Sequence, residues 1–364
     1  MKRTLLLWAV ALLFGNGAAF AQQTAPQTDE VRNVILMIGD GMGLGQVAAY
    51  MIENRYQPVS FDRAPYTALC KTYSANNRVT DSAASATAMA TGHKTNNSFV
   101  GMLPDGTPVT NLTELARDKG LATGIVVTSH LMDATPSGFA VHVPNRHMGR
   151  EIAEQYLGTN FDLLAGGGRS YFLPRENDDR DLLAQLQQQG YTYAATPEEF
   201  YAADRLPIIG LFADKYMDAA PQRGDYLLRA TAHTLELLDR QNKGFFAMIE
   251  GSQIDGACHG NNPETMLAEM KDFDDAVNCA FDFADTHPGT LVVVVADHET
   301  GGLTILSNKK DFTASESGIE YKYSTTSHSG TPVVLYAYGA GASNFSGMME
   351  NTEIFRRIKA LLID

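Results

Sequence analysis

Apolar residues along this chain fall into two patterns. Continuous apolar runs recur in "NVILMIG", "ATGIVVTS", "FDLLAGG", "GFFAMIE", "TLVVVVAD" and "TPVVLYAYG". Runs of that length without alternation predict strands buried on both faces. Between them, apolar positions recur with helical spacing in "LGQVAAYMIEN", "TNLTELARDKG", "DDRDLLAQLQQQG", "GDYLLRATAHTLELLDRQ", "PETMLAEMKDFDDAVNCAFDFAD" and "NTEIFRRIKALLI". Fully apolar strands separated by helices predict an α/β fold: one large three-layer αβα domain with a mainly parallel central sheet.

In such a fold ligands bind beyond the carboxyl ends of the strands. The residues standing there are Asp40 after "VILMIG", Asp133 and Thr135 after "IVVTSHLM", Glu250 after "FFAMI", and Asp297 with His298 after "LVVVVA". Four carboxylates on one rim repel one another unless cations neutralise them. The pattern therefore points to metal.

The rest of the composition narrows the class. The chain has 364 residues, 44% hydrophobic and 19% charged, which is ample for a packed core. No repeat, low-complexity tract or linker divides it after residue 30. The start differs: a cationic "MKR", an apolar "TLLLWAVALLF" and Ala19-Phe20-Ala21 before Gln22 form a signal-peptide pattern. Residues 1–21 are therefore expected to be removed, leaving 22–364 as the catalytic domain, periplasmic or secreted. No later segment is apolar enough to span a membrane. Cys70, Cys258 and Cys279 allow at most one intrachain disulfide, so this is no disulfide scaffold. The net charge of −14 argues against a nucleic-acid partner but not against a small anionic substrate, since bound cations reverse a local field.

Several motifs carry candidate chemistry. "GDGMGLG" fails the dinucleotide spacing, so Asp40 is read either as a turn residue or as a ligand approached closely by glycine backbone. In "EGSQIDGACHG", Asp255 and His259 are four apart and share a helical face, a carboxylate–imidazole pair suited to zinc. Glu250 is a hard oxygen donor better matched to magnesium. Cys258 points off that face and is read as a buried or paired thiol. "ADHETGG" contributes Asp297 and His298, and "TTSHSGTP" contributes His328 in a polar loop. None of these motifs decides alone. Together Asp40, Asp255, His259, Asp297, His298 and His328 supply three protein ligands for each of two zinc ions. Thr135 offers a neutral oxygen, and Arg146 is either a guanidinium fork for phosphate or a surface ion-pair partner.

"VTDSAASATAMATG" is a helix of small residues. Asp81 fits its N-cap, which places Ser82 in the first turn, where free N–H groups favour an anion. No Ser-His-Asp order stands nearby to activate Ser82, and a coordinated zinc ion could lower its hydroxyl pKa instead. The small residues would let the helix pack closely against the sheet; a close-packed helix without chemistry is the competing reading.

Taken in order, "GDGMG", "VTDSAASATAMATG", "DATP" followed by Arg146, "EGSQIDGACH", "ADHETGG" and "HSG" resemble the alkaline phosphatase family along most of the mature chain. The resemblance implies a phosphomonoesterase with Ser82 as the phosphorylated nucleophile and Arg146 on the phosphoryl oxygens. It implies a first zinc on Asp255, His259 and His328, a second on Asp40, Asp297 and His298, and Mg²⁺ on Asp40, Thr135 and Glu250; Asp133, past the same strand end as Thr135, is a further candidate metal ligand. Two departures stand out. Gly256 follows Asp255 where relatives often carry a larger residue, which bears on the third metal. The connection from His298 to His328 is short where many relatives insert a dimer-forming crown, which leaves homodimer formation open. The runner-up readings are a phosphodiesterase or sulfatase of the same superfamily, or a non-enzymatic anion-binding protein.

Overall fold

The computed structural model describes residues 30–174, 179–306 and 321–364. The expected signal peptide, residues 1–21, lies outside them. In chain order the strands are β1 (Asn33–Gly39), β2 (Tyr66–Lys71), β3 (Ala122–His130), β4 (Leu163–Gly167), β5 (Thr192–Ala194), β6 (Ile208–Leu211) and β7 (Phe245–Gly251). They continue with β8 (Thr290–Val295), β9 (Glu299–Thr300), β10 (Leu303–Ile305), β11 (Tyr321–Tyr323), β12 (His328–Ser329), β13 (Val333–Gly339) and β14 (Gly347–Glu350).

Ten strands form the central sheet in the order β14-β2-β13-β8-β1-β7-β3-β4-β6-β5. Only β13 runs against its neighbours, antiparallel to both β8 and β2. The α/β class and mainly parallel sheet expected from the apolar runs are therefore present. β1, β7 and β8 are buried at every residue, which requires cover on both faces. The long helix Pro263–Thr286 packs on β1, β7, β8 and β13, and the helix Tyr226–Asp239 packs on β3 and β7. Among the described residues no helix is long and apolar enough to cross a membrane.

The periodicity did not reveal β2, β5, β6 or β14. β5 and β6 are three and four residues long. β2 and β14 lie at the opposite edge, where one side meets solvent, and Leu69 and Met348 stay exposed there. A short or half-exposed strand leaves no continuous apolar run. The cysteines are free thiols: Cys70 and Cys258 are buried, and Gln46 Nε2 donates to Cys258 Sγ at 3.4 Å.

Two small antiparallel pairs, β9 with β12 and β10 with β11, close the carboxyl end of the sheet. The first matters for the site. It joins His328 to Thr300 in register and so brings the late loop beside the turn that follows β8.

Candidate active site

The carboxyl ends of β1, β3, β7 and β8 are adjacent in the sheet, so the turns after them converge. Asp40 follows β1 and its N–H donates to Gly251 O at 3.2 Å. Gly41 comes next at φ +73°, where a Cβ would meet Asp255 Cα at 2.8 Å. Only glycine allows that approach. Its N–H donates to Asp297 Oδ1 at 3.1 Å, tying the β1 turn to the β8 turn.

Ser82 opens the helix Ser82–Thr91, and Asp81 is its N-cap, accepting from Ala84 N–H at 3.0 Å. Every residue of this helix is buried. Its close neighbours are the short helix Ala134–Gly138 and the helix Thr352–Ile358, which corrects the expectation that it packs against the sheet. A Cβ on Gly138 would sit 2.7 Å from Ala86 Cβ, so the small residues serve helix-to-helix contact. Ser85 Oγ donates to Asp297 O at 2.7 Å and fixes the helix to the β8 turn. Ser82 Oγ then lies 3.1 Å from His298 Nε2.

That contact is not a serine–histidine–carboxylate relay. A relay needs the carboxylate on the opposite ring nitrogen. Here Asp297 Oδ2 lies 3.1 Å and Asp40 Oδ1 3.5 Å from the same Nε2 that faces Ser82. On the other side, His298 Nδ1 faces Thr300 Oγ1 at 3.1 Å, and that hydroxyl donates to Asp255 Oδ1 at 2.5 Å. A hydroxyl whose proton goes to a carboxylate must accept from the imidazole, so Nδ1 carries a hydrogen and Nε2 is the nitrogen turned toward Ser82, Asp40 and Asp297.

The other two histidines repeat this arrangement. His259 Nδ1 faces Thr326 O at 2.7 Å and His328 Nδ1 faces Thr80 O at 2.9 Å. A carbonyl only accepts, so both rings donate from Nδ1 and present Nε2. The two Nε2 atoms lie 3.2 Å apart, and His259 Nε2 is 3.2 Å from Asp255 Oδ2. Histidines that donate one nitrogen to a carbonyl and aim the other at a common point have the geometry of metal ligands.

Among the described residues two groups have donor atoms mutually within 4.8 Å: Asp40, Asp297 and His298; and Asp255, His298 and His328. The first is the expected second-zinc set. The second shares Asp255 and His328 with the expected first set but has His298 where His259 was expected; His259 adjoins it through the contacts above. Glu250, at the end of β7, and Thr135 are both 1% exposed, and neither the two Glu250 carboxylate oxygens nor Thr135 Oγ1 finds a hydrogen-bond partner. Asp40 Oδ1 and Asp297 Oδ2 face His298 Nε2 but likewise make no hydrogen bond. Buried polar atoms left in this state are costly, and so many converging oxygens point to cations.

The electrostatics agree. Burial, followed by the charges of Asp297, Asp255, Glu250 and Asp133, pushes Asp40 well above the usual carboxylate range. Burial and the charge of Asp133 do the same to Glu250. Burial would also raise Asp255, but the hydrogen bond from His259 and the charges of His298 and His328 bring it well below that range. His259 is pushed up to about 9, chiefly by its bond to Asp255.

Asp133 belongs to neither cluster. It caps Ala134 N–H at 2.8 Å and lies 3.4 Å from Arg146. Arg146 also reaches Asp81 Oδ2 at 3.5 Å, and with its side chain 21% exposed it is paired with both carboxylates while half-buried. Both pairings are at the edge of hydrogen-bonding range, so the guanidinium is held beside the Ser82 helix without being saturated. Cys258 is buried away from the Asp255–His259 face, as expected. Sequence reasoning did not single out Thr300, although it lies inside the "ADHETGG" motif. Nor could it find the carbonyls of Thr80 and Thr326, because backbone partners leave no mark on residue type.

Comparison with known proteins fits this geometry. A family model described as alkaline phosphatase matches residues 31–318. The alkaline phosphatase of Escherichia coli is 32% identical over 93% of this chain and 89% of its own length. Alkaline phosphatase 4 of Bacillus subtilis is 39% identical over 77% of this chain, which spans 64% of that relative's length. The solved alkaline phosphatase of the Antarctic bacterium TAB5 superposes with a TM-score of 0.85 at 37% identity, covering 91% of this chain and 98% of that one. A mutant of that enzyme has Mg bound in its M3 site. The family model spans most of the chain and its motif residues converge on one site: the chain belongs to the alkaline phosphatase family of phosphomonoesterases.

Proposed function

We propose that this chain hydrolyses phosphate monoesters to alcohol and inorganic phosphate through a phosphoserine at Ser82, in a site built for two Zn²⁺ and one Mg²⁺. The observation that carries this reading is the convergence of three histidine Nε2 atoms and five buried oxygens that make no hydrogen bond on the site that holds Ser82. Asp255, His259 and His328 would hold one zinc, and Asp40, Asp297 and His298 the other. Asp40, Thr135 and Glu250 would hold magnesium, with Asp133 beside them. Bound there, the ions would lower the pKa of hydroxyl and water and offset phosphoryl charge.

The chain's own residues supply the rest. Ser82 Oγ attacks phosphorus from a fixed first-turn position, where the helix N-terminus favours the anion. The P–O bond to the alcohol breaks as the Oγ–P bond forms, Ser82 gives up its hydroxyl proton, and the departing alkoxide takes up one from solvent to leave as the alcohol. Water then cleaves the phosphoserine and returns Ser82. Arg146 donates to two phosphoryl oxygens from its fork, which favours a monoester dianion over a diester with one fewer free oxygen. Four carboxylates, Asp40, Glu250, Asp255 and Asp297, are outweighed by six positive charges on three divalent ions, so the site becomes attractive to phosphate despite the chain's −14. Export to the periplasm or beyond is part of the proposal and rests on the leader pattern of residues 1–21.

The test compares an aryl phosphate with its methyl ester, for wild type and Arg146→Ala. The monoester should be preferred, lost to a chelator and restored by Zn²⁺ with Mg²⁺. Arg146→Ala should lower monoester kcat/KM about 30- to 1,000-fold, the effect of a lost charge-assisted pair of roughly 2–4 kcal/mol, and lower the diester rate less. A preference for the diester, equal losses on both, or a trapped phosphoenzyme at a residue other than Ser82 would overturn the reading.

A further inference from the structure

An exposed aromatic ring stands at the rim of this site on a backbone fixed from several sides. Tyr216 is 53% exposed, and its ring meets His130 edge-on, with centroids 4.6 Å apart at 65°. His130 ends β3, and its carbonyl accepts from Asp133 N–H at 2.9 Å, so the ring rests on the turn that carries Asp133 and Thr135. The phenol lies against Asp133 and within the field of Arg146 and Asp40. Its hydroxyl is within hydrogen-bonding reach of Asp133.

The backbone on both sides of Tyr216 is held. Lys215 O approaches Gly167 so closely that a Cβ there would be 2.0 Å away. Ala213 O accepts from Gly168 N–H and Arg169 N–H, both at 2.9 Å. Past the ring, Gln253 Nε2 donates to Met217 O at 3.0 Å and Asp218 O at 3.2 Å. Gln253 stands two residues before Asp255, so the helix that carries Asp255 and His259 also carries this clamp. Arg223 donates to Asp218 O at 2.6 Å while paired with Glu269 and Asp272 in the protein interior.

A rigid tyrosine with one face open offers contact area at low entropy cost, the property of a binding anchor. We propose that Tyr216 is a substrate-positioning residue whose ring packs against the organic part of the monoester, so that the site favours aryl over alkyl phosphates. This rests on the phosphomonoesterase reading above.

The experiment uses the metal-loaded enzyme and its Tyr216→Ala and Tyr216→Phe variants. kcat/KM is measured for phenyl phosphate and ethyl phosphate, and affinity by calorimetry for phenylphosphonate and methylphosphonate. An aromatic pair contributes about 0.5–1.5 kcal/mol beyond area burial, so Tyr216→Ala should lower the aryl-to-alkyl ratio about 2- to 12-fold in both measurements. The loss should appear mainly in KM, and Tyr216→Phe should restore the ratio. An unchanged ratio in Tyr216→Ala would overturn the proposal, as would an equal fall in Tyr216→Phe, which would assign the effect to the hydroxyl. Hydrolysis of neither ester by wild type would count against the phosphomonoesterase reading, and the phosphonate ratio would still decide on Tyr216.

Discussion

Thr300 is where the structure makes its sharpest demand on a residue outside the ligand sets. Its hydroxyl accepts from His298 Nδ1 at 3.1 Å and donates to Asp255 Oδ1 at 2.5 Å. It therefore sets the tautomer of one proposed zinc ligand and orients another. Both partners are enclosed: His298 is fully buried and the Asp255 side chain is 18% exposed. Thr300→Val keeps the shape and removes the hydroxyl. The His298 N–H is then buried without an acceptor, at a cost of about 1–3 kcal/mol. Loss of such a supporting partner typically weakens metal binding about 10- to 100-fold, or about 1.4–2.8 kcal/mol, which agrees with the hydrogen-bond figure. The assay is zinc affinity by competition with a chromogenic chelator, together with zinc content per chain after dialysis. Thr300→Ser restores the hydroxyl and should recover most of the affinity. Wild-type zinc affinity in Thr300→Val would refute the argument that this hydroxyl aims His298 Nε2 at a metal.

Two further predictions lie away from the metals. Arg223→Met leaves Glu269, 1% exposed, without its counter-charge, and breaking such a buried pair costs about 3–5 kcal/mol; denaturant unfolding should show it, with partial recovery in Arg223→Met/Glu269→Gln, and a loss below about 1 kcal/mol would contradict the buried-pair account. His142 faces Glu114 Oε1 at 3.1 Å and Gly101 O at 2.7 Å; burial lowers its pKa, but these partners outweigh burial and hold it above 6.5, while Glu114 is held below 4.5 despite its own burial. A raised histidine contributes stability that is present below about pH 6.5 and lost as pH rises through its folded value, whereas a depressed glutamate contributes stability present above about pH 4.5 and lost in acid. The pair should therefore stabilise most between those limits, and His142→Asn should reduce the fall in Tm between about pH 6 and pH 9 in the metal-loaded protein. Parallel Tm profiles for wild type and variant would rule that out.

How much of this was legible in the sequence follows from what each part of the fold does to residue type. The inner strands β1, β3, β7 and β8 must be apolar on both faces, so they read directly from the chain. β13 also read as a strand, but nothing in "TPVVLYAYG" records that it runs against its neighbours, because direction depends on the connection and not on composition. The helix Ser82–Thr91 was legible as small and close-packed, yet its true neighbours were not: the contact of Ala86 with Gly138 joins residues more than fifty positions apart. Asp81 as the N-cap did follow from local chemistry, since a cap acts within three residues of itself.

The site divides along the same line, and the division explains why the ligands could be named while their control could not. A carboxylate buried at a strand end has few reasons to exist other than a cation, so Asp40, Glu250 and Asp297 betray themselves by residue type and position. The nitrogen that each histidine presents is a different matter. For His259 and His328 it is chosen by the carbonyls of Thr326 and Thr80, which any residue would supply. For His298 it is chosen by Thr300, two positions along, through a hydroxyl that also contacts Asp255 on the helix Gln253–His259. The outcome is the same in all three cases: Nδ1 is occupied and Nε2 faces the cluster of carboxylates. Three independent routes to one tautomer make sense only if the Nε2 atoms share a purpose, and their convergence with Ser82 Oγ locates it. The chemistry of this site therefore depends on which side of each ring is already bonded, a property of the fold that residue identity does not carry.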